Sequence, residues 1–387
     1  MYINRKKNLP AISNKRKCLT GSILIFTSFI LMYISRISRA FAHWYSTHIY
    51  PVWVNVTGRI MGIFPFSVSE IMLYAGMAAA ILTFLRFVIR VLRKRAVKRQ
   101  FLIWSCNLYT LAGVLFFLYV LNCGINYHRE SFSEGSGIRM EKYSTEELRT
   151  VCLWLTEEVN NRSSKLPRNV YGVMELQGRE GSIEKAFDRI ISLDKLNEEA
   201  VEAMEQLGEQ CPVLTGHYPK PKGLLFPWIL SVQQLTGIYS PFTVEANYNS
   251  DIVDYNIPFT ACHELSHLRG FMQEEEANFI AFLASTGSEN IEFQYSGYLM
   301  GWKYCMNVLY RIDYSAWEEV REQLAETVEP DLSANRDFWD KYEGKIAETA
   351  NRVNDTYLKA NDQSEGVESY NRMVDLIVAY KLKAHVF

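Results

Sequence analysis

The stretch that decides the fold reads Pro258-Phe-Thr-Ala-Cys-His-Glu-Leu-Ser-His-Leu-Arg-Gly270. Proline is favoured in the first turn of a helix and glycine just beyond its end, so this stretch predicts a helix. Its remaining residues are largely apolar, which indicates that the helix is mostly buried. The apolar positions nearest the polar centre of the stretch are Phe259, Ala261, Cys262 and Leu265.

His263, Glu264 and His267 form an HExxH motif within this helix. Residues four apart on a helix differ by about 40° in direction, so both imidazoles face one metal ion. Glu264 lies about 100° round from His263, where it reaches a water molecule without binding the metal itself. Zinc lowers the pKa of such a water to about 7, and a carboxylate can then accept its proton. We therefore predict one Zn²⁺ per chain, Glu264 as the general base, and hydrolysis of peptide bonds.

The third metal ligand is expected on the next helix, predicted from about Met272 to Ser285. Glu274 to Asn278 reads E-x-x-A-N, which is similar to the second half of gluzincin sites. This resemblance implies Glu274 as the ligand, with Asn278 supporting a ligand histidine. The apolar face of the same helix also directs Glu276 inward, so Glu276 remains an alternative.

A rival pattern begins at the same histidine. His263 to Gln273 also reads HExxHxxGxxQ, which resembles metzincins except at the final ligand. Glutamine is neutral and a poor zinc ligand, so Gly270 is better interpreted as a tight turn between two helices.

The first third of the chain predicts a membrane module. Cys18–Ser35 and Phe101–Tyr127 contain no charged residue, and Phe66–Ile89 contains only Glu70 and Arg86. Runs of this length can cross a hydrocarbon core about 30 Å thick. We predict three spans, at about residues 18–37, 66–89 and 101–124.

Basic residues set the predicted orientation. They cluster before the first span and between the second and third spans, which favours cytoplasmic positions for both segments. A multi-pass protein of the cell membrane follows, with a cytoplasmic N-terminus, a lipid-embedded module at 1–129 and an extracytoplasmic metallopeptidase-like domain at 130–387. The net charge of −2 gives no support for nucleic-acid binding. From the HExxH motif, the expected substrate is a peptide or protein.

The rest of the chain is expected to be a mainly α, zincin-like domain, with at most one small β-sheet. Ser144-Thr-Glu-Glu147 predicts a capping box that begins a helix ending near 161. Weak alternation over Thr243–Asn249 predicts a short strand. Further helices are predicted at about 182–191, 195–210, 290–312, 314–327, 333–358 and 366–384.

Several other residues are candidates with two interpretations each. Tyr295 and Tyr298 could donate to an oxyanion, or pack in the core. Residues 243–249 could form an edge strand that pairs with an extended peptide, and Glu245 there could bind substrate or serve structure. Cys152 and Cys211 could form a disulfide, but sequence spacing leaves this open.

Several segments spread along the chain carry a resemblance to a known family: Asn126–Arg129, Gly237–Thr243, Glu245–Asn247, Pro258–His267, Arg269–Phe271, Glu274–Ala281, Tyr295–Tyr298 and Tyr357–Gln363. Through them the chain resembles the bacterial domain of unknown function 3810 family over nearly its whole length. The resemblance implies membrane anchoring and a gluzincin-like HExxH site, but little about substrate. The stretch from Glu274 to Ala281 is also similar, locally, to membrane CAAX-type proteases and to phage-immunity repressor-cleaving peptidases.

Two functions are consistent with these residues. One is a membrane-anchored zinc metallopeptidase, and the other is a catalytically silent metal-binding sensor or scaffold in the cell envelope. The intact set of His263, Glu264 and His267 favours the enzyme, because loss of a ligand or of the base would be expected in a silent relative.

Overall fold

The computed structural model describes residues 5–93, 97–138, 142–179, 191–361, 363 and 372–382. Over these residues the chain is mainly helical and carries one small three-stranded sheet, as predicted. The predicted helix at 182–191 lies outside the described residues, apart from its last position, as does the beginning of the one predicted at 366–384.

Three N-terminal helices are long and apolar enough to cross a membrane, which confirms the three predicted apolar runs. The candidate spans are Asn14–Ile37, Val68–Leu92 and Lys98–His128. The first and third pack together closely at Gly21 and Gly113, since a Cβ added at Gly113 would lie 3.2 Å from Cα of Gly21. The helices of this part are α1 (Arg5–Ile37), α2 (Arg39–Trp44), α3 (Tyr50–Met61), α4 (Val68–Leu92) and α5 (Val97–Tyr119).

The segment between the first two spans is helical rather than a loop. A π-helical turn at Tyr45–Ile49 joins α2 to α3. In α3, Tyr50, Val54 and Gly58 recur every four residues and are buried. Gly58 allows close packing, because a Cβ there would lie 3.2 Å from the ring of Pro219. This segment therefore forms part of the core that the later domain uses.

The third span continues to His128 without a break, a few residues past its predicted end near 124. A π-helical turn at Val120–Gly124 and a 3₁₀ turn at Ile125–His128 extend α5, and most of their residues are buried. The short α6 (Phe132–Gly135) follows, and then α7 (Thr145–Ser163) and α8 (Asp194–Gln210). The predicted capping box at Ser144 and Glu147 is present at the start of α7.

The sheet has the order β1-β3-β2, from β1 (Lys222–Gly223), β2 (Gly237–Ser240) and β3 (Glu245–Tyr248). Helix α9 (Trp228–Ser231) lies between β1 and β2. Strand β3 is parallel to β1 and antiparallel to β2. The strand predicted within 243–249 is therefore present, but its proposed position at the edge was wrong: β3 is central and both its sides are paired.

Three consecutive helices form the centre of the domain: α10 (Asn256–Leu268), α11 (Glu274–Gly287) and α12 (Ile291–Ile312). Between the first two, Gly270 has a φ of +87°, a conformation that favours glycine. The predicted helix at 333–358 is two helices, because Gly344, with a φ of +145°, separates them. The last helices are α13 (Tyr314–Arg321), α14 (Glu329–Asp340), α15 (Lys345–Ala360) and α16 (Arg372–Leu382).

All seven cysteines are free thiols, so the disulfide between Cys152 and Cys211, which the sequence left open, is not formed. Cys152 of α7 lies against Cys305 of α12, within hydrogen-bonding contact of its thiol. Cys211, at the end of α8, is a free and buried thiol. The neighbour of Cys152 is therefore Cys305.

Candidate metal centre and cavity

Helices α10 and α11 bring three potential metal ligands together. One ligand atom from each of His263, His267 and Glu274 lies within 4.8 Å of the other two. The Glu274 carboxylate oxygens lie 3.3 Å from Nε2 of His263 and 3.8 Å from Nε2 of His267. Tetrahedral zinc with bonds of about 2.0–2.1 Å separates its ligand atoms by about 3.3 Å. The donor types and their spacing therefore fit zinc.

The orientation of His267 is set by the turn that follows its helix. Nδ1 of His267 lies 2.8 Å from the carbonyl oxygen of Phe271, which directly follows Gly270. A carbonyl can only accept, so Nδ1 must donate, and Nε2 keeps its lone pair for a ligand bond. Burial and the charge of His263 lower the pKa of His267 to about 4. The ring is therefore neutral near pH 7, as metal binding requires.

His263 is oriented by acidic and amide neighbours. Burial lowers the pKa of His263, but the hydrogen bond and charge of Glu274 outweigh this, so the pKa lies above its usual value. Asn278 also favours the protonated ring. Neither Nδ1 of His263 nor Nδ2 of Asn278 completes a hydrogen bond within the described residues. Asn278 is thus a neighbour of His263.

One carboxylate oxygen of Glu264 is buried and lacks a structural partner among the described residues. Its side chain is buried, and Oε2 makes no hydrogen bond to any part of the chain that the structure describes. The pKa of Glu264 is raised to about 8, mainly because the side chain is buried. The charge of His263 partly opposes this rise, and the charge of Glu274 adds to it. A buried polar atom without a partner carries a substantial cost, so such a group is expected to have a functional reason.

The other two glutamates of α11 point elsewhere. Glu276 is directed inward, as the apolar face predicts, but its carboxylate accepts hydrogen bonds from the backbone N–H and the hydroxyl of Ser133, at 2.9 and 2.6 Å. Glu275 accepts from the side-chain amide of Gln363 at 2.9 Å. The carboxylate beside the two histidines is therefore that of Glu274.

A cavity of about 530 Å³ opens in front of these residues. Its walls are formed by polar residues of α10 and α11, by the edge strand β2 and by the extension of the third span. The described residues that line it include His263, Glu264, His267, Glu274, Asn278, Gln234–Tyr239, Phe242, Met300, Tyr304, Tyr119, Cys123, Tyr127 and Tyr357.

Strand β2 presents an open edge to this cavity. The N–H of Asn249 donates to the carbonyl of Thr236 at 2.7 Å, which marks that opposed pair as hydrogen-bonded. Such pairs alternate along an antiparallel ladder, so the backbone groups of Gly237 and Tyr239 point away from β3. Within the described residues, these groups have no backbone partner.

Two tyrosines suggested as oxyanion donors lie outside the cavity lining. The hydroxyl of Tyr295 donates to the carboxylate of Asp331, and Tyr295 is fully buried. Tyr298 packs edge-on against Trp154 at 5.7 Å, with the guanidinium of Arg162 over its ring. Both belong to the core and to polar contacts on the far face of α12, so the suggestion of an oxyanion role is corrected for each.

A tyrosine that the sequence interpretation missed does line the cavity. Tyr304 is nine residues after Tyr295, which is two and a half helical turns, so the two side chains leave opposite faces of α12. Burial and the charge of Glu274 raise the pKa of Tyr304 above its usual value. The only sequence signal was its spacing with Met300, which lies four residues earlier on the same face.

Glu245 is a structural residue rather than a substrate ligand. Its carboxylate accepts from the backbone N–H groups of Val68 and Ser69, at 3.0 and 2.8 Å, and from Nζ of Lys222 at 2.6 Å. It is buried and caps the N-terminus of α4. Its suggested role in substrate binding is corrected accordingly, because all its contacts join the sheet to the second span.

Comparison with known proteins gives one match. The profile of the family described as "Protein of unknown function (DUF3810)" matches residues 45–378. No curated protein and no solved structure matches the chain. Since the matched region covers most of the sequence, including α3–α15 and every residue of the candidate metal centre, the chain belongs to the DUF3810 family.

Proposed function

We propose that this protein is a membrane-anchored zinc metallopeptidase that hydrolyses peptide bonds outside the cytoplasm. The observation that carries the proposal is the buried Glu264, whose Oε2 has no partner among the described residues, beside His263, His267 and Glu274. A silent metal-binding protein has no need for such a group, whereas a hydrolase needs a base at this position.

Zinc held by the three ligands would supply Lewis acidity, which acidifies a water molecule and polarises a carbonyl group. In the proposed reaction, Glu264 accepts the proton of the attacking water. It then transfers this proton to the nitrogen of the leaving amine, and the peptide C–N bond breaks. The hydrogen bond from His267 to Phe271 would hold that histidine in its ligating orientation, and Asn278 lies beside His263, where it would support the second ligand.

Tyr304 is the proposed donor to the negative oxygen that develops on the substrate carbonyl. Its place in the cavity lining near Glu274 supports this role. Within the described residues its hydroxyl has no hydrogen bond that would hold it elsewhere. A phenol directed at developing charge typically contributes about 10²–10³-fold in rate.

The open edge of β2 is the proposed binding site for the substrate backbone. The outward N–H and C=O groups of Gly237 and Tyr239 can pair with an extended peptide, and alternate side chains then enter the cavity. Gly237 lies next to Glu264, so a paired peptide would pass directly in front of the base.

The proposed orientation places the metal centre outside the cytoplasm. Cysteine substitutions at exposed positions test it in intact cells, after accessible native thiols are removed. We expect Arg93→Cys, between the second and third spans, to resist an impermeant thiol reagent, and Val170→Cys to react. The reverse pattern would contradict this topology.

Metal content and turnover test the function itself. We expect the full-length chain, purified in detergent without chelators, to contain about one zinc per molecule by elemental analysis. It should cleave members of a degenerate peptide library, lose this activity on chelation and regain it with zinc. Zinc binding without cleavage would favour the silent sensor, and absence of any bound transition metal would refute both.

A further inference from the structure

One wall of the cavity is built by the third membrane span. Tyr119, Cys123 and Tyr127 are four residues apart on the helical extension of α5, and all three line the cavity. The third candidate span, Lys98–His128, has 31 residues, and about 20 of them are enough to cross the hydrocarbon core, so a crossing that begins near Lys98 is complete close to Tyr119. At about 1.5 Å per residue, Tyr127 lies only about 12 Å farther out. The cavity therefore begins at the expected bilayer surface.

The loop between β1 and α9 also lies near the expected bilayer surface, next to the outer end of the second span. The backbone N–H groups of Leu225 and Phe226 both donate to Glu70, in the first turn of α4, at 2.8 Å. The ring of Phe226 packs edge-on against Tyr74, one turn deeper in that span, with centroids 5.6 Å apart. This loop thus lies alongside the outer end of a membrane span.

One aromatic side chain of this loop and another at the start of α9 are exposed. Phe226 is 57% exposed and Trp228 is 61% exposed. Two further exposed apolar residues, Ile238 and Phe242, line the cavity itself. An apolar surface therefore extends from the lipid-level loop to the cavity lining, and surfaces of this kind mark membrane or protein contacts.

Helix α3 adds a third apolar element between the outer ends of the first two spans. Val52, Val56 and Ile60 recur every four residues on its exposed side, while its opposite side packs on the domain. A helix with one exposed apolar face next to a bilayer is typical of interfacial helices. Helix α3 and the loop together indicate that the domain sits directly on the membrane.

From this placement we infer that the substrates are themselves membrane-anchored polypeptides, cleaved in the extended segment just outside their anchor. The inference rests on the proposed peptidase function. An extended chain spans about 3.3 Å per residue. About four residues after an anchor are therefore enough to pass along a cavity wall that starts at the bilayer surface and extends about 12 Å outward. Anchoring both partners in one membrane also raises their effective concentration.

A matched pair of substrates tests the inference. The full-length chain is reconstituted in phosphatidylcholine vesicles and given a degenerate fluorescent peptide library, either free or coupled at one end to phosphatidylethanolamine. We expect cleavage of the anchored library to be at least about 10-fold faster, with cuts concentrated within about ten residues of the anchor. The Glu264→Gln chain serves as the blank.

The outcomes separate the two proposals. Equal cleavage of both libraries would overturn the membrane-anchored substrate and leave the peptidase intact. If neither library were cut more than in the Glu264→Gln blank, the peptidase proposal would fail, and the inference with it.

A surface variant provides an independent arm. Replacing both Phe226 and Trp228 by serine should lower the ratio of anchored to free cleavage, because the domain then sits less firmly against the lipid. Tyr171→Ser, at a residue 82% exposed in the connection between α7 and α8, should leave the ratio unchanged. Zinc content of each variant confirms folding, and an unaltered ratio in the double variant would contradict the inference.

Discussion

Gly237 of strand β2 lies directly against the side chain of Glu264 in α10: a Cβ added at Gly237 would lie 2.8 Å from Cγ of Glu264. The edge of the sheet and the proposed base thus share a space that admits no side chain between them. Glycine is required at this position by that close approach. The backbone angles of Gly237 do not require it, because they lie outside the left-handed region.

We predict that Gly237→Ala displaces the Glu264 carboxylate and lowers kcat by about 10-fold or more, since proton transfer depends on geometry. The metal should stay bound, because no ligand is touched. Gly287→Ala is the matched control, as nothing lies within 4 Å of a Cβ there. Equal kcat values for the two variants would show that the contact does not position Glu264.

Tyr304→Phe should lower kcat by about 10²–10³-fold, with zinc content retained, if its hydroxyl donates to the oxyanion. Tyr295→Phe is the comparison on the opposite face of the same helix. It removes the hydrogen bond to Asp331, so we expect a less stable chain with nearly normal kcat. A larger loss of turnover in Tyr295→Phe than in Tyr304→Phe would reverse the assignment.

Zinc affinity should distinguish the glutamates of α11. Glu274→Gln removes a charged ligand and should weaken binding by more than about 100-fold, since partners outside the ligand set already contribute about 10–100-fold. Glu276→Gln should bind zinc like the parent but unfold more easily, because Ser133 loses its charged acceptor. Titration with a zinc buffer measures both. Loss of affinity in Glu276→Gln alone would mean that the gluzincin-like alignment is wrong here.

The helix of the HExxH motif could be predicted because its signals are local. Pro258, Gly270 and the spacing of the histidines all depend on one helical period, and the structure has the helix at Asn256–Leu268. The choice between Glu274 and Glu276 could not be made from the apolar face, since both point inward. It depends on Ser133, which the chain brings to Glu276 from more than a hundred residues away.

The role of Glu245 was unpredictable for the same reason. Its partners, Val68, Ser69 and Lys222, lie in other elements, and only the folded chain joins them. Strand β2 was also missed, because four residues that include a glycine give too little alternation to identify a strand.

Glu245→Gln should destabilise the chain by about 3–5 kcal/mol, because it leaves the ammonium of Lys222 buried without its counter-charge. The exposed pair between Lys220 and Asp194 is the control, and Asp194→Asn should cost less than about 1 kcal/mol. Thermal unfolding in detergent compares the two. If Glu245→Gln unfolded like the parent but lost substrate affinity, a binding role for Glu245 would be restored.

The central claim is that Glu264 is the base of a zinc peptidase, and one comparison tests it most directly. Cells that express the parent chain or Glu264→Gln at equal levels are analysed by mass spectrometry of the N- and C-termini of envelope proteins. Because loss of a general base costs about 10²–10⁴-fold, we predict new termini in the parent that are absent from the variant, although both chains carry zinc. Identical sets of termini from the two strains would contradict the account.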